Sequence, residues 1–254
     1  MTDPQGADAA DVDSSGTPWT GRALTSTGFD GDLGEADADL TAALDDPPDE
    51  TVLMHAVANA RLLVPIVAAP SEVDDSEMDD SDELTVEKST DMAVVTITSA
   101  DGQRALPVFT SLAMLSAWDA SARPSPVTSA RAAQAAVFER CDVMLLDPGS
   151  GHQRELRPSM VWALAQLRDW TPAHSDPFVA QALSRATVDE ADVIDCVGEA
   201  DPAGAGILRV VLSLRPGLDS SQVQALATRV GERIASDGEA RARIDGLGFT
   251  IRQA

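Results

Sequence analysis

Apolar residues recur along the chain in two rhythms. Leu53, Val57 and Ala60 fall at i, i+4 and i+7, which predicts a helix over Thr51–Ala60. Leu62–Ala68 is an apolar run of strand length. Pro65 inside it cannot donate to a ladder, so this strand is expected at a sheet edge or at a bulge. Met92–Thr98 and Gln103–Phe109 are β-rich runs flanking Asp101-Gly102. That pair predicts a hairpin closed by a two-residue type I′ turn, with positive φ at both turn positions. Thr110 or Ser111 then caps a short helix carrying Leu112, Leu115 and Trp118.

Pro126–Thr128 reads as a short strand. Ser129–Arg140 reads as an alanine-rich helix with Ala133 and Val137 on one face. Asp142–Leu146 reads as a buried strand, broken by Asp147-Pro148-Gly149. A strand, helix and strand in this order favour a parallel pair with a right-handed crossover. Pro158 opens a further helix with Val161, Leu164 and Leu167 on its stripe. Upstream, Trp19, Leu24, Phe29, Leu33, Leu40 and Leu44 are scattered anchors. They suit an extended arm ending in a short helix near Ala38–Leu44, stopped by Pro47-Pro48.

The pattern restarts after Thr171–Pro177, whose two prolines mark a linker. Val193–Val197 and Ile207–Leu214 read as strands. In the second, Leu208, Val210, Leu212 and Leu214 share one face, with Arg209, Ser213 and Arg215 opposite. Asp219 and Gln222 have the spacing of a capping box. The helix that follows carries the stripe Val223, Leu226, Ala227, Val230 and Ile234. Leu247–Arg252 closes the chain as a strand.

The expected architecture is therefore α/β (α+β). A mixed sheet with flanking helices spans residues 19–170, interrupted by an acidic loop at 70–91. The linker 171–177 leads to a smaller β-β-α-β unit over 178–254. Residues 1–18, made of Asp, Ala, Gly, Ser and Pro, are expected to be a disordered acidic tail.

Charge narrows the partners. The net charge of −24 is unevenly spread. Residues 1–100 hold 23 acids and 3 bases, whereas residues 101–254 hold 19 acids and 15 bases. This field repels phosphate backbones, so nucleic acid is not expected as a partner. No apolar run approaches the roughly 20 residues of a membrane span. No basic and apolar leader opens the chain. No membrane partner is expected, and the expected location is the cytoplasm.

A search for chemistry finds little. The sole lysine, Lys88, lies in the acidic run, and no phosphate-binding glycine loop precedes a helix. The histidines His55, His152 and His174 lack metal-ligand spacing, and His55 is expected to pack on its helix face. The acidic run Glu72–Glu83 lacks the spacing and turn glycine of an EF-hand. Cys141 and Cys196 form no pair. Each stands among acids that oppose a reactive thiolate, Cys141 also at the negative end of a helix. No GxSxG elbow is present. Catalytic, cofactor-binding and metal residues are thus all assigned as none. The remaining place for a ligand is the carboxyl end of the parallel strands, around Asp147–Gly151, with His152 and Arg157 near it in sequence. The last block, 201–254, has seven arginines against six acids, so the acidic arm or loop is a candidate cover for that more basic part.

Three segments carry a family resemblance. They are "ARLLVPIVA", "EKSTDMAVVTITSADGQRALPVFTSLAMLSAWD" and "RPSPVTSARAAQAAVFERCDVMLLDPGS". Together with the arm "GRALTSTGFDGDLGEADADLTAAL", they resemble the SseB (enhanced serine sensitivity) family in its actinobacterial form. The resemblance covers roughly residues 19–170, and the tail after 177 resembles that family's C-terminal domain. Many members carry Asn-Pro where this chain has Asp147-Pro148. The family implies an α/β N-terminal domain, a smaller C-terminal one and no established reaction. With no catalytic motif, the expected role is protein–protein interaction or regulation through an unknown protein partner. The rival is a small-molecule-binding domain or unrecognised enzyme with its site at residues 147–157.

Overall fold

The computed structural model describes residues 28–45, 49–69 and 91–253. The expected tail at 1–18, the anchors Trp19 and Leu24, Pro47-Pro48 and the acidic run 70–90 lie outside the described residues. The chain divides into two units, Met1–Leu33 and Gly34–Ala254. In the first, the Asp32 amide donates to the Phe29 carbonyl (3.1 Å) and Leu33 is exposed. The second is an α+β fold and contains everything that follows.

It opens with α1 (Ala38–Asp45), α2 (Glu50–Asn59) and β1 (Arg61–Ala69). Leu40, Leu44, Leu53 and Val57 are buried, as their spacing predicts, and Asp49 caps α2 by accepting from the Thr51 amide. His55 is exposed and does not pack, contrary to expectation. Next come β2 (Asp91–Val94), β3 (Ile97–Thr98), β4 (Arg104–Val108), α3 (Leu112–Trp118) and β5 (Arg123–Thr128).

β1 is a central strand, which corrects the edge or bulge expected from Pro65. It lies between β2 and β5, antiparallel to both. Pro65 stands opposite Pro124 on β5, so neither proline owes the other a hydrogen bond. On the other side Pro65 marks the end of the β2 ladder, where its carbonyl still accepts from the Val95 amide (3.1 Å). Two residues earlier, Leu63 exchanges both backbone bonds with Phe109 (2.8 and 2.9 Å), which ties β1 to the end of β4. The missing donor is thus placed where no ladder bond is needed.

The hairpin forms, with two differences. Its first arm is split, because β2 pairs with β1 and only β3 pairs with β4. Its turn is longer than the type I′ form. Ser99 donates to the Gln103 carbonyl, Gly102 donates to the Ser99 carbonyl, and Gly102 alone has positive φ (+89°). Ala100–Gly102 thus form a three-residue loop with glycine in the left-handed position.

The chain continues through α4 (Ser129–Phe138), β6 (Val143–Leu146), β7 (Arg154–Leu156) and α5 (Pro158–Ala165). The expected parallel pair across α4 is corrected. β5 joins β1 antiparallel, and the parallel partner of β6 is β4 in the order β3-β4-β6-β7. The buried face of α4 is Ala130, Ala132, Ala133 and Ala136, while Val137 and Phe138 point outward. Leu167 lies beyond α5, not on its stripe, and is also exposed. The main core joins Leu62 and Val64 of β1 to residues of α1, α2, α4, β6 and α5. Leu63 faces the other way, toward Phe109, Leu115 and Ala122.

A short 3-10 turn, Ala173–Ser175, precedes α6 (Pro177–Thr187), capped by Asp176. Then follow β8 (Val193–Ala200), β9 (Ile207–Leu214), α7 (Ser220–Ser236), α8 (Gly238–Arg243) and β10 (Gly246–Gln253). β8 is antiparallel to β9 and β10 is parallel to it. The alternation on β9 holds, with Leu208, Val210, Leu212 and Leu214 buried against α6 and α7. Val211 is buried as well. The Asp219–Gln222 capping box is present. Among the described residues, no helix is long and apolar enough to cross a membrane.

Candidate functional site

The strand-end site begins with two neighbouring parallel strands. β4 delivers Thr110 and β6 delivers Asp147. Asp147 turns the chain with φ +46° and is buried. Its two carboxylate oxygens accept from the Thr110 amide (2.9 Å) and the Thr110 hydroxyl (2.8 Å). Burial pushes the Asp147 carboxyl up from its ordinary range, against the pull of these two bonds. The hollow beside it holds about 230 Å³ and is lined by Met114, Trp118, Pro148 and Ser150, with no cationic side chain. This is below the roughly 300 Å³ where ligand pockets begin. His152 turns away to Asp45 (3.5 Å), and Arg157 serves a different cavity. The structure therefore brings Asp147 to Thr110, keeps His152 within electrostatic reach of Asp147 but paired with Asp45, and takes Arg157 to a different cavity.

Arg157 belongs to a larger cavity, about 450 Å³, at the start of α5. It precedes Pro158, which opens the helix without a side-chain cap. Its guanidinium is bidentate to Glu50 (2.5 and 2.9 Å), and its Nε donates to Asp245 Oδ2 (3.0 Å). Asp245 also accepts from the Ser159 amide (2.7 Å) and hydroxyl (2.8 Å), and Trp170 Nε1 donates to that hydroxyl (3.0 Å). Burial opposes the Arg157 charge, but Glu50 and Asp245 outweigh it and raise its pKa. On the same wall Arg243 pairs with Asp176 and Glu239 (2.8 Å each) and lies over the rings of Trp162 and Phe178. Arg243 Nε is buried without a hydrogen-bond partner. Apart from that N–H, the charged groups named here hold one another in place.

A third concavity is a groove of about 440 Å³ between α4 and α5, lined by Val137, Cys141, Val161, Trp162 and Ala165 among others. Gln134 bridges the helices by donating to the Ala165 carbonyl (3.1 Å). Three large apolar side chains stand close to it in sequence: Val137 (58% exposed), Phe138 (83%) and Leu167 (80%). Local geometry explains two of them. Both helices end in a Schellman motif whose left-handed residue is not glycine, Arg140 (φ +56°) after α4 and Leu167 (φ +55°) after α5. The reversal at α5 throws Leu167 outward. Phe138 is the last residue of α4, beyond its alanine face.

Neither cysteine is activated. Burial raises the Cys141 pKa despite the counter-pull of Arg104, and burial with Asp195 pushes Cys196 up to about 11. The C-terminal arginines are largely engaged. Arg229 and Arg233 share Glu190, Arg185 meets Asp237, and Arg209 and Arg252 share Glu199. Among the described residues, no group of three or more His, Cys, Asp or Glu is placed to hold a metal.

A family model described as the SseB protein N-terminal domain matches residues 37–163, from the edge of α1 into α5. The chain belongs to the SseB family. No curated protein and no solved structure matches the chain significantly. The SseB match includes Glu50, Arg157 and Ser159 of the large cavity but stops short of Trp170 and Asp245. Sequence reasoning missed this network because its members lie far apart in the chain. The one local signal was Arg157 ahead of Pro158, an N-cap position filled by a residue that does not cap.

Proposed function

We propose that this SseB-family protein is a non-catalytic cytoplasmic protein that acts through protein–protein contact, with the α4–α5 groove as its docking site. The observation that carries the reading is the exposure of Val137, which lines that groove, and of Phe138 and Leu167, which follow the groove residues Val137 and Gln166 in the chain. Large apolar side chains left in water beside a groove are the kind of surface that interaction sites use. The occupant is the apolar face of a helix from a protein partner, with acidic residues along its flank. Arg131, in the first turn of α4, and Arg140, just past its end, are exposed and supply the basic charge that such a flank would meet. The rival small-molecule reading is weakened at the strand end around Asp147–Gly151, where the Asp147 carboxylate is already occupied by Thr110. The tail after residue 177 is, in this reading, the family's C-terminal domain, and the chain is of the actinobacterial type.

Phe138→Asp tests the reading. A partner retained by the wild-type chain should be lost from this variant and kept by a Val188→Asp control, a change on a distant exposed residue of the same kind. Photo-crosslinking from position 138 should label the same partner. Retention of the partner by the variant, or a co-purified metabolite with no protein partner, sinks the proposal.

A further inference from the structure

β10 is the long edge strand among the described residues with the least protection against pairing. Edge strands expose a row of free backbone N–H and C=O groups, and proteins blunt them by shortness, proline, bulges or inward charge. Here β3 has two residues, β7 three and β2 four. β5 carries Pro124 and Pro126. β8 is irregular between Val193 and Asp195 and bears Asp195 and Glu199. β10 runs for eight residues, Gly246–Gln253, with no proline and an unbroken register against β9, and its one charge, Arg252, lies near its end and is paired with Glu199.

Its hydrogen-bonding sense follows from one bond. The Gly246 amide donates to the Gly206 carbonyl, just before Ile207, the β9 partner of Gly246. The backbone groups of alternate residues from Gly246 onward therefore face β9, and those of Leu247, Phe249 and Ile251 face the open edge. The same three side chains lie on the core face of the sheet, in register with Leu208, Val210 and Leu212. Phe249 packs on the core there, while Leu247 is 38% and Ile251 37% exposed.

We propose that this edge pairs with a second copy of the chain, antiparallel, about a two-fold axis at Phe249. That axis sets Phe249 opposite its own symmetry mate and Leu247 opposite the second copy's Ile251. Every residue with outward backbone groups then meets another of the same kind, so each of these pairs exchanges both its bonds. The half-exposed Leu247 and Ile251 cover each other across the seam, and the sheet runs on through both copies. A contact of this form is isologous and closes as a dimer.

Light scattering and sedimentation equilibrium of the full chain test this, in moderate salt to screen repulsion between two copies of net charge −24. The expected result is a dimer. Ile251→Pro removes one outward N–H and leaves the β9 ladder intact, so it should yield a folded monomer by circular dichroism. Leu247→Lys/Ile251→Lys and Leu247→Asp/Ile251→Asp should each be monomeric alone and form a mixed dimer when combined. A monomeric wild type, a dimer that survives in all three variants, or a mixture that stays monomeric overturns the proposal.

Discussion

Arg157 and Asp245 lie 88 residues apart in the chain and 3.0 Å apart in space. Asp245 also holds the first turn of α5 through Ser159. Its carboxylate is nearly buried, so removing the cation leaves a charge with little access to water. Arg157→Met should destabilise the fold by about 3–5 kcal/mol, read as a lower urea midpoint. Gly206→Ala should act through the same bond. Gly206 has φ +82°, and a Cβ there would stand 2.5 Å from Arg157 Nε. A fragment cut to residues 37–163 lacks Asp245 and should lose cooperative unfolding.

Leu167 gives a prediction of opposite sign. It occupies a left-handed position that costs a residue with a Cβ about 1–2 kcal/mol, and its side chain is largely in water. Leu167→Gly should raise stability by up to about 1 kcal/mol, after the extra entropy of glycine in the unfolded chain is subtracted. A thermal melt checks it. In the proposed function, the same change should weaken partner binding.

Two carboxylates should respond to pH in opposite directions. Asp147 is raised by burial, so its stabilising contribution is full below the ordinary aspartate value of 3.8 and fades as pH rises through its elevated one. Asp147→Asn should flatten that part of the stability profile. Glu190 is held low by its hydrogen bond from Arg229, with Arg233 adding to it. Its contribution is present above the ordinary glutamate value of 4.5 and is lost as pH falls through its lowered one. Glu190→Gln should remove that acid-side loss. Urea midpoints taken across the pH range read both.

Neither thiol should behave as a nucleophile. Alkylation by iodoacetamide at neutral pH should be slow at Cys141 and slower at Cys196, whose thiol ionises only near pH 11. Fast, selective labelling at neutral pH would contradict the half-buried settings that raise both thiols.

Elements set by local chemistry were legible in the sequence. The Asp219–Gln222 capping box, the β9 alternation and the Asp147-Pro148-Gly149 break stand where their residues place them. Faces and partners were less legible. The core face of α4 is made of alanines, which leave little periodic contrast, so Val137 was assigned to the wrong side. The α6 helix starts inside the stretch that its two prolines mark as a linker, although Asp176-Pro177 is a cap followed by a first-turn proline. The loop at Ala100–Gly102 differs from a type I′ turn by one residue, which the Asp-Gly pair alone does not determine. The Arg157 network was invisible because Glu50, Arg157 and Asp245 meet only after the whole chain has folded.

The facing prolines of β1 and β5 have a consequence for how the fold is reached. In the native alignment, Pro65 and Pro124 meet where neither strand asks for a donor. Sliding one strand by a residue turns that strand's proline toward a carbonyl that then finds no N–H, and when β1 is the strand that slides it also swaps Leu62 and Val64 for Leu63 on the core side. Misaligned pairings are therefore penalised twice, in hydrogen bonds and in burial. The two imino acids act as a proofreading mark, one in the central strand and one in the edge strand that pairs with it.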